Sequence, residues 1–417
     1  MKQFLAFCFF LIAVSGFAQK YQRYLVDTLA SPYFDGRGYV NNGVQNAADF
    51  IANQFDSLGL TQPINQTFPI QVNVFPGNLN LKINGVDLIP GKDYLVDPIS
   101  GGGTAKVEAA YINVFSKSQM KKLMNSKKYI SNILVIQKPD TLTGERIKEF
   151  TLLIQALGDL WPIVVLTEDK LTWGVGNKAL RYPVFWVNKP GISKIKTISY
   201  QVDQRLVNQK NNNVMAMVKG SGTNQNYLLV TAHYDHLGRM GSETVFPGAN
   251  DNASGVAEMM ALAAHFAKNP LQKNILFVAF AGEEVGLVGS KYFVNNPPIP
   301  LDSIDFVLNL DLSGTGDEGI TVVNATLYPK IFDQLVKLND EGSYVAKVKK
   351  RGPAANSDHY FFTEKGVPAF FIYTLGGIKA YHDIYDLPET LPLTEAADLK
   401  QLYIRFFKYL DGVEKSE

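Results

Sequence analysis

Hydrophobic positions in the second half of the chain fall in unbroken runs rather than alternating with polar ones. Leu228-Leu229-Val230-Thr231, Asn274 to Ala281 (NILFVAFA), Asp305 to Leu310 (DFVLNL) and Ala369 to Tyr373 each read as a strand that is apolar on both sides. Strands of that kind belong to a sheet covered by helices on both faces. Helical spacing lies between them: Ser254 to Ala267, rich in Ala and Met, Gly286 to Asn295, and a closing helix from Ala397 to Leu410. Asn213 to Lys219 and Tyr227 to Ala232 flank a turn-forming Gly220-Ser-Gly-Thr-Asn, a pattern that predicts a hairpin. Near the start, Gly43 to Leu60 places Ala47, Phe50, Ile51 and Phe55 on one helical face, with Gly59 suited to the end of the helix. Ser31 to Gly38 before it is turn-rich and reads as an ordered loop.

The texture changes between about residues 70 and 205. Short β-prone runs (Phe68 to Val74, Leu79 to Ile83, Val107 to Val114, Ile133 to Gln137, Ile163 to Leu166, Val184 to Val187) alternate with Pro, Gly and Asn clusters, with one helical pattern at Arg146 to Leu157. The expected fold class is α/β: a mixed, largely parallel central sheet flanked by helices on both faces, with an inserted smaller β-rich domain. The expected organisation is a signal peptide at 1–18, the first part of the main domain at 19–70, the insert at 71–205 and the rest of the main domain at 206–417. The insert contains no histidine and only scattered carboxylates, which suits a structural or substrate-framing lobe.

Composition narrows the function classes. The chain has 417 residues, long for one compact domain, and 46% of them are hydrophobic, enough for a sizeable core. Its net charge of +1 steers no polyanion, so neither nucleic acid nor a membrane surface is an expected partner. Lys2, the apolar Phe4 to Val14 and the small-residue site Gly16-Phe17-Ala18 form a signal-peptide pattern, giving a mature chain from Gln19 that is exported to the periplasm or the medium. The single cysteine, Cys8, lies inside that segment, so the mature chain is expected to lack disulfides, a cysteine nucleophile and thiolate ligands.

Candidate chemistry gathers at the ends of the apolar strands. His233 and Asp235 follow one strand, Glu283 and Glu284 follow NILFVAFA after a single glycine, and Asp311 follows DFVLNL directly. Ligands of open α/β sheets collect at the carboxyl ends of strands. Buried carboxylates without partners cost several kcal/mol, so a cluster of them calls for a cation. Asp251 closes the Gly-containing loop after His233, and all five histidines lie at or beyond His233.

The stretches HYDH, GANDNASG, AFAGEEVGLVGS, NLDLSG and YHDIYD resemble the motif set of the M28 family of zinc metallopeptidases, which includes co-catalytic dizinc aminopeptidases. The resemblance covers residues 213 to 410, extends to LASPYFDGRG and NAADFIANQF near the start, and likens the middle module to the protease-associated insert of some members. It implies two Zn2+ ions, with Co2+ or Mn2+ as substitutes. His233 and Asp311 would bind one ion, Glu284 and His382 the other, and Asp251 would bridge them. Glu283 would be the general base, Asp235 would orient His233, and Tyr381 would stabilise the oxyanion. His236 is read as lying outside the ligand set, His265 as structural, and His359, in the SDHxxF pattern, as supporting either the fold or the metal ligands. NLDLSG departs from the methionine found there in many members but keeps Asp311.

The implied function is an exported aminopeptidase acting on peptides with a free N-terminus. A carboxypeptidase or dipeptidase is the alternative, marked by an arginine in the specificity pocket, for which Arg37, Arg239 and Arg351 are candidates. Glutaminyl cyclases of the same fold replace the first histidine ligand by an acid, which His233 argues against. A non-catalytic binding module would have lost a ligand, and none is missing. Oligomeric state is not legible.

Overall fold

The computed structural model describes residues 19–188, 194–223 and 226–413. The signal-peptide pattern and Cys8 lie outside them. No helix among the described residues is long and apolar enough to cross a membrane.

Two eight-stranded sheets organise the chain. In the larger, the order is Ile64–Val74, Arg205–Val218, Asn274–Phe280, Tyr227–His233, Ile304–Leu310, Ala369–Leu375, Gly319–Val323 and Val348–Lys350. The central four, Asn274–Phe280 to Ala369–Leu375, are parallel, and antiparallel pairs join them to the outer strands. This is the mixed α/β architecture expected from the unbroken apolar runs. Asn274–Phe280 shows why those runs lack alternation: Ile275, Phe277 and Ala279 enter the core on one face, and Leu276, Val278 and Phe280 enter the core on the other. Helices Gly43–Ser57, Gly255–Phe266, Pro329–Gly342 and Ala396–Asp411, with a helix over 19–29, cover the first face. Val288–Asn295 and His359–Glu364 cover the second.

The expected hairpin does not form. Arg205–Val218 and Tyr227–His233 both pair with Asn274–Phe280, which lies between them. The strand NILFVAF carries apolar side chains on both faces, and a central position buries both; an edge would leave one in water. Phe68 to Val74, read with the β-rich module, belongs to a strand that pairs with Arg205–Met215 in the large sheet along its whole length.

The second sheet runs Val86–Leu88, Leu79–Ile83, Thr197–Val202, Gly103–Tyr111, Asn132–Gln137, Ile163–Thr167, Val184–Asn188, Tyr94–Val96. Its middle strands are parallel, and two helices, Lys117–Asn125 and Glu145–Gly158, pack on one face. The first of these helices has weak apolar periodicity and was not expected; Ser116 caps it by accepting from the Gln119 backbone N–H. The other face buries Trp173, Leu237, Met240 and Phe246, with the Trp173 and Phe246 rings stacked at 4.7 Å. The apolar loop after His233 therefore packs into the core of the second sheet.

Candidate metal centre

His233 is the last residue of its strand, opposite Phe280 in the neighbouring parallel strand. The turn beyond it is held from two sides: the Tyr234 N–H donates to the Phe280 carbonyl at 2.9 Å, and the His236 N–H to the Arg37 carbonyl at 3.2 Å. Gly282, at φ +74°, turns the adjacent strand end so that Glu283 and Glu284 face back toward His233. The buried Asp235 carboxylate fixes that turn by accepting from the backbone N–H groups of Glu283 (3.2 Å) and Glu284 (3.3 Å), and from the Tyr39 hydroxyl at 2.7 Å.

Asp251 sits in an irregular loop, joined to Asn252 by a cis peptide bond. Both oxygens of Asp386 accept from that loop, from the Asn250 N–H at 2.8 Å and the Asp251 N–H at 2.9 Å. Arg37, fully buried, donates to the carbonyls of Leu29, Tyr234, Pro247, Gly248 and Asp251. Burial lowers its pKa to about 10, which leaves it charged near neutral pH. The Asn252 side chain bridges the loop to the Asp311 strand end, donating to the Leu310 carbonyl and accepting from the Leu312 N–H. Asp311 is steadied by a buried relay: Thr231 donates to Asn309 at 2.7 Å, Asn309 to Ser357 at 2.8 Å, and Ser357 to Asp311 at 2.9 Å.

The donor atoms converge. His233 Nε2 lies 3.4 Å from Asp251 Oδ1 and 3.4 Å from Asp311 Oδ1. His382 Nε2 lies 3.1 Å from Asp251 Oδ2 and 3.4 Å from Glu284 Oε2. Two donors held about 2.0–2.1 Å from one tetrahedral ion stand roughly 3.3–3.4 Å apart, so these separations fit shared cations. The two oxygens of Asp251 face different imidazoles. His233, Asp251 and Asp311 form one set with metal-binding geometry, and His236, Asp251 and Glu284 form another. His236 Nδ1 approaches Glu284 Oε1 at 2.8 Å, a hydrogen-bond distance, which suits a residue that orients Glu284.

Electrostatics reflects this crowding. Burial alone would lower the pKa of His233, but Asp311, Glu283 and Asp251 outweigh it and hold it well above its usual value. His382 is raised to about 9: Glu284 and Asp251 outweigh burial. Burial among neighbouring carboxylates holds Glu283 well above the carboxylate range. Removed from water, this set of acids and imidazoles has the charge and the donor types to take divalent ions.

The expected residues His233, Asp251, Glu283, Glu284, Asp311, Tyr381 and His382 line one cavity of about 240 Å³. Asp235 lies beneath it and meets His233 differently from the expectation. His233 Nδ1 pairs with the Asp235 backbone carbonyl at 3.1 Å, and the nearest carboxylate oxygen is 3.8 Å away. Tyr381 is 46% exposed and stacks on His382 with centroids 4.0 Å apart. Of the three arginines, Arg37 is committed to backbone carbonyls, Arg239 pairs with Asp35 at 2.6 Å, and Arg351 lines the cavity. Asp386, Ser357, Asn309 and Tyr39 had no role in the sequence reading. Asp386 lies within YHDIYD, but a motif does not say which backbone groups its acid will meet.

Fold and site together are those of an α/β protein with a candidate centre for divalent ions. Residues 213–407 match the family model described as Peptidase family M28. Aminopeptidase YwaD of Bacillus subtilis is 25% identical over 337 residues, 77% of this chain and 70% of that protein. A probable zinc metalloprotease of Leptosphaeria maculans is 39% identical over 111 residues, 26% of each chain. A vacuolar membrane protease of Lachancea thermotolerans is 27% identical over 191 residues, 45% of this chain. The match spans only 19% of that yeast protein. Among solved structures, a zinc aminopeptidase from Bacillus subtilis superposes with a TM-score of 0.70 at 20% identity, covering 92% of this chain and 94% of the other. An M28 peptidase precursor from Shewanella amazonensis gives 0.69 at 18% identity, covering 97% and 98%. At these identities the superpositions speak to the fold.

Proposed function

We propose that the protein is an exported aminopeptidase that uses two zinc ions to hydrolyse the first peptide bond of substrates with a free N-terminus. The observation that carries this reading is the pair of Asp251 oxygens, one 3.4 Å from His233 Nε2 and the other 3.1 Å from His382 Nε2. A carboxylate so placed suits a bridge between two ions. His233 and Asp311 would complete one site, and Glu284 and His382 the other. The relatives named zinc metalloprotease and aminopeptidase support the choice of metal and of reaction. The signal-peptide pattern supports export, and the residue 71–205 segment, apart from the strand that ends at Val74 in the large sheet, is read as an insert framing the cavity.

When bound, the ions would polarise the scissile carbonyl and acidify water. Glu283 lines the same cavity without being needed as a ligand, and would take a proton from water and return it to the leaving amine. Its raised pKa suits that exchange, and a cation beside it offsets part of the rise. The Tyr381 hydroxyl is protonated near neutral pH, and partial burial with the nearby Asp251 and Glu284 raises its pKa further, so it could donate to the oxygen that gains charge. Asp235 fixes the backbone that aims Glu283 and Glu284, and the Asp235 carbonyl fixes the tautomer that leaves His233 Nε2 free.

The test is turnover of aminoacyl reporter amides by the purified chain before and after chelation and zinc return. Zinc-restored activity that is abolished by N-acetylation of the substrate is expected. Turnover that survives acetylation, or that no metal restores, overturns the aminopeptidase reading.

A further inference from the structure

The cavity holds one cation that the metal chemistry does not use. Arg351 follows the edge strand Val348–Lys350, and its N–H donates to the Val322 carbonyl at 3.0 Å. Its guanidinium carbon stands 5.9 Å from the centre of the Tyr373 ring, and Nη1 donates to the Tyr373 hydroxyl at 3.2 Å. Lys350 beside it is matched by Asp333 at 3.6 Å, whereas no ion pair of Arg351 is recorded among the described residues. The bond to the Tyr373 hydroxyl uses one N–H and leaves the other guanidinium donors available, and a planar guanidinium can meet a carboxylate at two points.

The surroundings fit such a ligand. Leu312, Phe371, Tyr373 and Tyr381 give the cavity apolar and aromatic walls, and Asn356 opens onto it beside Arg351. Its volume, about 240 Å³, is small against the roughly 300–1,000 Å³ of pockets for drug-sized ligands, so it suits one residue rather than an extended peptide. Arg351 is exposed at the rim, so a purely apolar substrate group would leave the guanidinium to water, whereas a carboxylate entering beside it could pair with it at two points.

We propose that Arg351 is the specificity residue of this cavity and that preferred substrates carry a carboxylate which pairs with it. The carboxylate has two sources in a short peptide: the side chain of an N-terminal Asp or Glu, or the C-terminus of a dipeptide. The proposal rests on the aminopeptidase reading for the chemistry, but the recognition it describes can be measured without turnover.

The experiment compares the zinc-loaded full chain with Arg351→Met, Arg351→Lys and Arg351→Glu. One arm measures kcat/KM for Glu- against Gln-reporter amides. A second compares Ala-Ala with its C-terminal amide. A third measures binding of free glutamate against glutamine by calorimetry. The wild-type chain is expected to favour the carboxylate form at least tenfold in one arm; the first arm or the second then names the source. Arg351→Met should bring that ratio close to one, Arg351→Lys should keep part of it, and Arg351→Glu should invert it. Ratios near one for the wild-type chain in all three arms, or a ratio that Arg351→Met leaves unchanged, overturn the proposal. Loss of the aminopeptidase reading would show separately, as absence of metal-dependent turnover of Leu- and Ala-reporters alongside an intact glutamate preference in the binding arm.

Discussion

Trp173, in the loop after the strand Ile163–Thr167 of the second sheet, is paired with His382 through the backbone in both directions. His382 Nδ1 donates to the Trp173 carbonyl at 2.9 Å, and the Trp173 N–H donates to the His382 carbonyl at 2.8 Å. The first bond fixes the tautomer that leaves His382 Nε2 facing Asp251 and Glu284. Lys170, three residues earlier, clamps the same loop: its ammonium pairs with Asp383 at 2.6 Å and donates to the carbonyls of Lys379 and Tyr381. A segment without catalytic side chains thereby sets the orientation of one of the two imidazoles at the candidate centre.

Lys170→Met should accordingly weaken uptake of one of two metal equivalents by about tenfold, the usual range for outer partners of a ligand. Lys170 is half-exposed but Asp383 is buried, so the variant should also lose about 1–3 kcal/mol of stability through the unpaired carboxylate. Metal titration alongside urea unfolding separates the two. A variant that binds both equivalents as tightly as the wild-type chain would refute the positioning role.

Glu283→Gln should retain metal stoichiometry and lose turnover by a factor of about 10² to 10⁴, the range for a positioned acid–base group. Glu284→Gln should lose metal as well, because Glu284 Oε2 faces His382 Nε2 at 3.4 Å. Metal analysis of the two neighbouring variants checks the division of labour.

Ser357→Ala would leave Asp311 Oδ2 and the Asn309 amide without their partner inside the protein. The expected cost is about 1–3 kcal/mol of stability in the metal-free chain, with weaker metal binding at the His233–Asp311 side. A free energy of unfolding indistinguishable from that of the wild-type chain would show that the relay contributes nothing.

Glu258 supplies the pH dependence. It is buried in helix Gly255–Phe266, where the Gln22 amide donates to it at 2.5 Å, and burial raises its pKa to about 8. An acid whose folded pKa exceeds its unfolded value contributes stability that is fully present below the unfolded value and lost as pH rises. For Glu258 the loss runs from about pH 4.5 to about 8 and amounts to a few kcal/mol. Glu258→Gln removes the titration. Melting temperatures at pH 5 and pH 9 should show the variant gaining on the wild-type chain as pH rises; a constant difference would contradict this.

Much of the centre was legible as local pattern. Unbroken apolar runs ending at His233, before Gly282 and at Asp311 placed three donors at strand ends, because burial on both faces removes alternation and parallel strands align their carboxyl ends. Helices 255–266 and 396–411 were likewise written in spacing and composition. What pairs with what was not. Asn274–Phe280 separates the two strands expected to form a hairpin, since a strand apolar on both faces gains most from the middle of a sheet. The His382 loop is tied to Trp173, 209 residues away in sequence, through backbone groups that carry no sequence signature. The three arginines are alike in sequence; only packing commits Arg37 to five carbonyls and Arg239 to Asp35, and leaves Arg351 facing the cavity. Periodicity and turn chemistry are set by neighbours along the chain. Tautomer, strand order and the free guanidinium are set by groups that meet only once the sheets have packed.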